Sequence, residues 1–329
     1  MIRSKRMSLA IGKIVTNENN EIGKDGAFIR QTNRFDTPFG DKPGQLPIEA
    51  SRYRLIWAAI CPWAHRSMIA IKLLGLDDVI SIGKVSPIRT SHGWEFSLDV
   101  GGVDPVLGIR YLPEIYASTD PEYDGRATVP TVVDVKTGKV VNNDYFNLTY
   151  YWETAFKPFH KTDAPDLYPE QLRADIDALN DVIFHEVNNG VYKAGFARSQ
   201  KAYEDAYHLV FNRLDKLEQR LSQSRYLFGD KITDSDIRLY VTLARFDVAY
   251  YGAFKTNRNR IIDYPNLWAY ARDLYQMPAF GETTDFEAIK KGYFLGDNAH
   301  NPYDILPLGP DVSHWHTPHN RDKQFSSSH

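Results

Sequence analysis

Tyr53-Arg54-Leu55-Ile56-Trp57-Ala58-Ala59-Ile60-Cys61-Pro62-Trp63-Ala64-His65-Arg66 is the stretch that decides the fold. Tyr53 to Ile60 is a short apolar run that reads as a buried strand. It stops at a cysteine followed by proline. Beyond them Met68, Ile69, Ile71, Leu73 and Leu74 alternate with polar residues as on an amphipathic helix. The order this predicts is strand, tight turn, helix. Proline suits the first helical turn, where an N–H has no partner in any case. Cys61 therefore falls at or just before a helix N-terminus, where free N–H groups and the positive end of the helix dipole stabilise an anion. A thiolate is such an anion, so the thiol pKa is expected to fall from ~8.5 towards neutrality or below.

Cys61 is the only cysteine among 329 residues, so any disulfide it forms needs an outside thiol. The alternative reading of a lone cysteine is a small buried hydrophobe. Trp63, His65 and Arg66 read as structural side chains or as partners of backbone and carboxylates. A nearby Arg66 would also favour the thiolate.

The length suggests two domains. With 43% hydrophobic and 25% charged residues the composition is that of an ordinary globular chain, and a net charge of -3 gives no reason to expect nucleic acid. No apolar run approaches the ~20 residues of a membrane span. The basic start, Met1 to Arg6, is followed by a run broken at Lys13, a poor signal peptide. One cysteine and no export signal lead to the expectation of a reducing cytoplasm. With 20 Tyr, 17 Phe and 6 Trp, some rings are expected to line a pocket for a flat substrate.

In chain order, residues 1–50 carry little periodicity and read as an extended arm with at most a short hairpin, in which the Gly23–Gly26 turn presents Phe28 for docking. Residues 51–160 form the first domain. Val79 to Val85 is a second buried strand, and strand–helix–strand makes a parallel, right-handed βαβ unit. A long insertion, 86–126, reads as a functional loop. Its Trp94 is either a lid over the site or a ring that pins the loop. Ala127 to Val135 and Val140 to Asn143 form an antiparallel hairpin about Gly138. Pro130 stands where its first strand begins, and a cis bond there would turn the Val129 N–H and C=O outwards to pair with an extended peptide-like ligand. Asp144 opens a helical pattern, either as its cap or as a ligand group.

Residues 161–294 read as helical. Leu172, Ile176, Leu179, Ile183 and Val187 share one stripe, Leu209, Phe211, Leu214, Leu217 and Leu221 another, and Thr233 with Asp236 forms an acidic capping box. Residues 295–329 read as loop and a polar, frayed tail. Its His314, His316 and His319 lack the acid or cysteine that would complete a metal site, so no metal is expected.

The order βαβ then ββα, with a cysteine at the first helix and Thr-Val-Pro at the third strand, is the thioredoxin-like arrangement. CPWAHR at 61–66, Gly93-Trp94, GRATVP at 125–130, VNND at 141–144 and PLGP at 307–310 resemble the glutathionyl-hydroquinone reductases, the Xi-class, Omega-like glutathione transferases, over nearly the whole chain. The resemblance implies a thioredoxin-like α/β domain followed by an all-α domain, a homodimer, and glutathione or another low-molecular-weight thiol as cosubstrate. It also implies the chemistry: Cys61 attacks the sulfur of a glutathionyl-hydroquinone, the quinol leaves, and a second thiol resolves the mixed disulfide. Tyr192, Tyr250 and Tyr293 match the family's substrate-pocket tyrosines. Val129 and Pro130 match its backbone pairing with the thiol's cysteinyl part, and Trp94 would lie near the peptide. One departure stands out. The family pattern has Glu-Ser where this chain has Asp144-Tyr145. A shorter acid and a bulky ring there lead to the expectation of weaker γ-glutamyl recognition or a different thiol. The alternatives are a general thiol–disulfide oxidoreductase or reductive dehalogenase using the same cysteine, and a non-catalytic binding module.

Overall fold

The structure is a computed structural model and describes residues 21–295 and 301–326. The chain divides into two compact units, one built chiefly from Arg30–Ala164, the other from Ile22–Ile29, Pro165–Tyr293 and the described residues from Leu306 onward.

The first unit is a four-stranded sheet in the order β2-β1-β3-β4. Strand β1 (Tyr53–Ala58) is buried along its whole length, which is why its sequence is a continuous apolar run rather than an alternating one. It pairs in parallel with β2 (Ile80–Val85) and antiparallel with β3 (Thr131–Asp134), which pairs antiparallel with β4 (Lys139–Asn142). Helix α1 (Pro62–Leu74) crosses between β1 and β2. It ends at Gly75, whose φ of 72° is the left-handed cap that glycine adopts without penalty. Helix α3 (Leu148–Glu153) packs against α1, and Trp152 donates to Ser67 Oγ at 3.0 Å.

The insertion, read as a functional loop, is not loop throughout. Its C-terminal part is helix α2 (Leu112–Thr119), capped by Glu114, whose Oε1 accepts the N–H of Tyr111 at 2.8 Å. The rest is tied down by a buried ion pair. Arg54 of β1 reaches Asp104 Oδ2 at 2.7 Å, and Asp104 Oδ1 accepts from the N–H groups of Val106 and Leu107. A carboxylate with no exposure at all pins the loop by giving every donor around it an acceptor. The composition of the stretch, rich in Gly, Asp and Pro, hid this partner 50 residues upstream.

The second unit is helical: α4 (Arg173–Ile183), α5 (Gly190–Gly195), α6 (Gln200–Leu221), α7 (Asp234–Arg245), α8 (Pro265–Tyr275) and α9 (Phe286–Phe294), with shorter turns between. Ile176, Ile183, Val187, Phe211, Leu214, Leu217 and Leu221 are buried as their spacing predicts, while Val210 rather than Leu209 completes the α6 face. Ser199 caps α6 by accepting from Ala202 N–H. The Thr233–Asp236 box caps α7: Asp236 Oδ2 accepts the Thr233 N–H at 2.7 Å, and Oδ1 takes Leu227 N–H and Tyr270 Oη. Two single π-helical turns interrupt this unit, Phe184–Asn188 between α4 and α5, and Phe246–Tyr250 after α7. Phe28 is buried and packs on Phe196 at 5.3 Å between ring centroids.

The reading of a frayed tail needs correction for the described residues from Asp311 to Ser326. Trp315 is buried among Trp268, Tyr275 and Phe286, and Arg321 is fully buried, its Nη2 donating to the carbonyls of Leu221, Ser224 and Arg225. A polar average concealed one large ring and one cation that caps the end of α6. The first twenty residues of the arm lie outside the described residues. Among the described residues no helix is long and apolar enough to cross a membrane.

Candidate active site

Cys61 is the N-cap of α1, in extended conformation (φ -73°, ψ 116°), half-buried, with Pro62 at the first helical position. Its own carbonyl accepts the His65 N–H at 3.0 Å, the first bond of the helix. No acid stands in the first turn to oppose a negative charge there. The sulfur lies 3.2 Å from the Val129 carbonyl oxygen, so the thiol donates to it. The helix start favours the thiolate, whereas a hydrogen bond from S–H to a carbonyl favours the thiol.

Trp63, two residues on, organises the surroundings. The Arg66 guanidinium carbon sits 4.8 Å and that of Arg30 4.6 Å from the Trp63 ring centre, and Tyr145 approaches it at 5.2 Å. Two cations on one indole fall within the range of cation–π attraction. Arg30 escaped the sequence reading because it lies in the arm, where no periodicity or motif marks a residue for this role. His65 is fully buried and stacks on Trp57.

The Val129–Pro130 bond is cis, and Thr131 begins β3 directly after it. Beneath this turn Tyr116 Oη donates to the Thr128 carbonyl at 3.0 Å, meets Thr131 Oγ1 at 2.6 Å and accepts from Asn143 Nδ2. Burial pushes the Tyr116 phenol pKa up, keeping it a neutral donor. Asp144 is buried, and its carboxylate accepts from Asn33 Nδ2, the N–H groups of Phe146 and Asn147, and Asn147 Nδ2 at 2.7 Å. These bonds hold the turn 145–147 ahead of α3, whose N-cap is Asn147 rather than Asp144. Tyr145 packs its ring on Trp63, and burial raises its pKa. Trp94 is half-buried, and its carbonyl accepts the N–H of Leu112, the first residue of α2.

In the helical unit the three expected tyrosines meet. Tyr293 Oη lies 2.5 Å from Tyr192 Oη and 3.0 Å from Tyr250 Oη. The Tyr250 and Tyr293 rings cross at 82°, and Phe254 stacks on Tyr250 at 5.1 Å. Gly195 makes room for Phe254, since a Cβ there would come within 2.3 Å of that ring. Burial raises the Tyr250 and Tyr293 pKa values well above 10, and the mutual repulsion of phenolates adds to it. These hydroxyls are held protonated, so they donate hydrogen bonds and can return a proton to a substrate. Among the described residues no cluster of His, Cys, Asp and Glu is arranged to hold a metal ion.

The family model described as "Glutathione S-transferase, N-terminal domain" matches residues 60–155, and that described as "Glutathione S-transferase, C-terminal domain" matches residues 200–273. The chain is 43% identical over 311 residues to the glutathionyl-hydroquinone reductase YqjG of Escherichia coli, covering 91% of this chain and 94% of that protein. The crystal structure of the glutathione S-transferase Xi from Phanerochaete chrysosporium aligns at 42% identity and TM-score 0.85 over 88% of this chain and 95% of that one. The glutathione-bound structure of YqjG aligns at 41% identity and TM-score 0.81, covering 88% of this chain and 96% of that one.

Proposed function

For a chain that belongs to the glutathione transferase family, in its glutathionyl-hydroquinone reductase (Xi) branch, we propose a cysteine-dependent reductase that removes glutathione from glutathionyl-hydroquinones. The observation that carries the reading is the position of the sole cysteine: a helix N-cap, its sulfur against the carbonyl of Val129 that precedes a cis proline.

In this reading the Cys61 thiolate attacks the thioether sulfur of the substrate. The carbon–sulfur bond breaks, its electron pair leaves with the ring carbon, and a proton returns to that carbon. The ring carbon is reduced and sulfur oxidised, leaving Cys61 in a mixed disulfide with glutathione. A second glutathione thiolate attacks the glutathione sulfur, releases glutathione disulfide and restores Cys61. A lone cysteine suits this cycle, because no internal thiol competes with the incoming one. Tyr192, Tyr250 and Tyr293 take hydrogen bonds to the quinol oxygens and the return of the proton. Val129 pairs its backbone with the cysteinyl part, next to Pro130, with Trp94 beside the peptide. Asp144 and Tyr145 take the γ-glutamyl end. An acid already shared among four donors, beside a bulky ring, supports a weakened grip on that end. The reading includes a homodimer and, from the single cysteine, a cytoplasmic setting.

The test is mass spectrometry of Cys61 after mixing with a glutathionyl-hydroquinone. A glutathione adduct on Cys61 with release of the free quinol, both lost in Cys61→Ser, is expected. Quinol release that survives in Cys61→Ser overturns the mechanism. Calorimetric titration of the same protein with glutathione and with cysteinylglycine reads the γ-glutamyl grip: little gain from the γ-glutamyl group is expected, and ordinary micromolar-to-millimolar glutathione binding with a normal γ-glutamyl dependence removes the idea.

A further inference from the structure

The three hydroxyls converge in a unit where two helices are each out of α-helical phase by one residue. The π turn Phe184–Asn188 precedes α5 and thereby Tyr192, and the π turn Phe246–Tyr250 ends on Tyr250 itself. One residue of α-helix corresponds to a rotation of about 100°. Relaxing the first π turn to α would swing Tyr192 by about that angle and part its hydroxyl from Tyr293, now 2.5 Å away. π turns cost hydrogen-bond geometry and persist where something outside the helix holds them.

Here the holding group is Asn188, the last residue of the first π turn, which is 1% exposed. Its Nδ2 donates both hydrogens to α7, one to the Arg238 carbonyl at 2.8 Å and one to Thr242 Oγ1 at 2.7 Å. Those acceptors are four residues apart, one turn along a single face of α7. Thr242, also 1% exposed, lies in the last turn of α7, which runs directly into the second π turn. One amide thus ties the turn that aims Tyr192 to the helix that aims Tyr250. An aspartate could not donate these bonds, and a hydrophobe would leave the threonine hydroxyl without this donor.

We infer that Asn188 and Thr242 are positioning residues for the hydroquinone step, acting through Tyr192 and Tyr250. This rests on the reading above that the tyrosines serve that step. The experiment compares Asn188→Ala, Thr242→Val and Thr242→Ser, alone and in a Tyr192→Phe/Tyr250→Phe background. It follows kcat for glutathionyl-hydroquinone reduction and, separately, the rate of Cys61 alkylation by iodoacetamide. Asn188→Ala and Thr242→Val are expected to lower kcat roughly 10- to 100-fold, the cost of misplacing a catalytic group by about an ångström. Thr242→Ser keeps the hydroxyl and stays within about twofold, and Cys61 alkylation stays unchanged in all three. In the Tyr192→Phe/Tyr250→Phe background Thr242→Val is expected to cost nothing further, because its effect travels through those phenols. A loss that recurs in full in that background, or a parallel fall in Cys61 alkylation, means general destabilisation and overturns the inference. Should Tyr192→Phe/Tyr250→Phe keep full activity, it is the role given to the phenols that fails. The crystal structure of Thr242→Val then decides the positioning by itself: a Tyr192–Tyr293 hydroxyl pair still in contact refutes it, a parted pair supports it.

Discussion

Cys61 carries two opposed influences on one sulfur, the helix start that favours the anion and the Val129 carbonyl that holds the proton. In the proposed complex the same carbonyl is an acceptor for the ligand's cysteinyl N–H. Binding would then take from the thiol the partner that stabilises its neutral form, and the thiolate would gain about the worth of one hydrogen bond, ~1–1.5 kcal/mol. The thiol pKa is therefore expected to be lower when the ligand is bound. The check is the pH dependence of Cys61 alkylation by iodoacetamide, with and without a glutathione analogue whose cysteine is replaced by 2-aminobutyrate. Shielding by the analogue changes the rate but not the midpoint. A midpoint that stays put sinks the argument; a shift to lower pH is expected. The helix-cap position of Cys61 was legible in the sequence because it depends on six adjacent residues. The sulfur's partner lies 68 residues away across the sheet, and Arg30 reaches Trp63 from the arm. Contacts of that kind leave no local pattern.

At the scale of elements, the amphipathic stripes of α4 and α6 and the Thr233 box follow from short-range rules and were legible. The π turns were not, since an extra residue in a helix is decided by what it packs against rather than by propensity. The second of them carries a group with a measurable consequence. Asp247, within Phe246–Tyr250, accepts the N–H groups of Ile261 and Ile262 at 2.6 and 3.3 Å. Burial pushes its pKa up to about 6; those two N–H groups and Arg260 pull it down, and Asp263 pushes it further up. The folded chain therefore holds this proton more tightly than the unfolded chain, whose aspartate titrates near ~3.9. Stability that the protonated acid provides below about pH 4 is lost as pH rises towards and through about 6, on the order of 2–3 kcal/mol in all. Asp247→Asn keeps an acceptor and cannot ionise, so the variant should gain on the wild type as pH rises from about 4 to about 6, the window set by those two values, and hold that gain above it. Urea unfolding across that window measures the difference, and a gap independent of pH contradicts the assignment.

For the molecule as a whole, the parallel βαβ unit, the antiparallel hairpin and the succession of an α/β and a helical unit were readable from period and breakers, whereas the antiparallel pairing of β1 with β3 that joins the two halves of the sheet carries no local signal. The insertion was not readable either, because its order is conferred from outside, by Arg54 of β1 on the loop's own Asp104. These two residues are buried to 5% and 0% exposure and bonded at 2.7 and 3.0 Å. A buried pair of this kind is a poor source of net stability but an effective constraint, since neither charge can be left alone. Asp104→Ala strands a guanidinium in the core and also deprives the N–H groups of Val106 and Leu107 of their acceptor. It should cost about 3–5 kcal/mol. Arg54→Met with Asp104→Leu removes both charges and should recover much of that loss in global stability, while the loop still lacks the acceptor that orders its turn. Hydrogen exchange then separates the two contributions. Protection of the Val106 and Leu107 amides should fall in the single and the double variant alike, whereas β1 and β2 amides should lose protection only in the single variant. If both variants leave the insertion amides protected, its order comes from α2 and the buried Phe96 rather than from the ion pair.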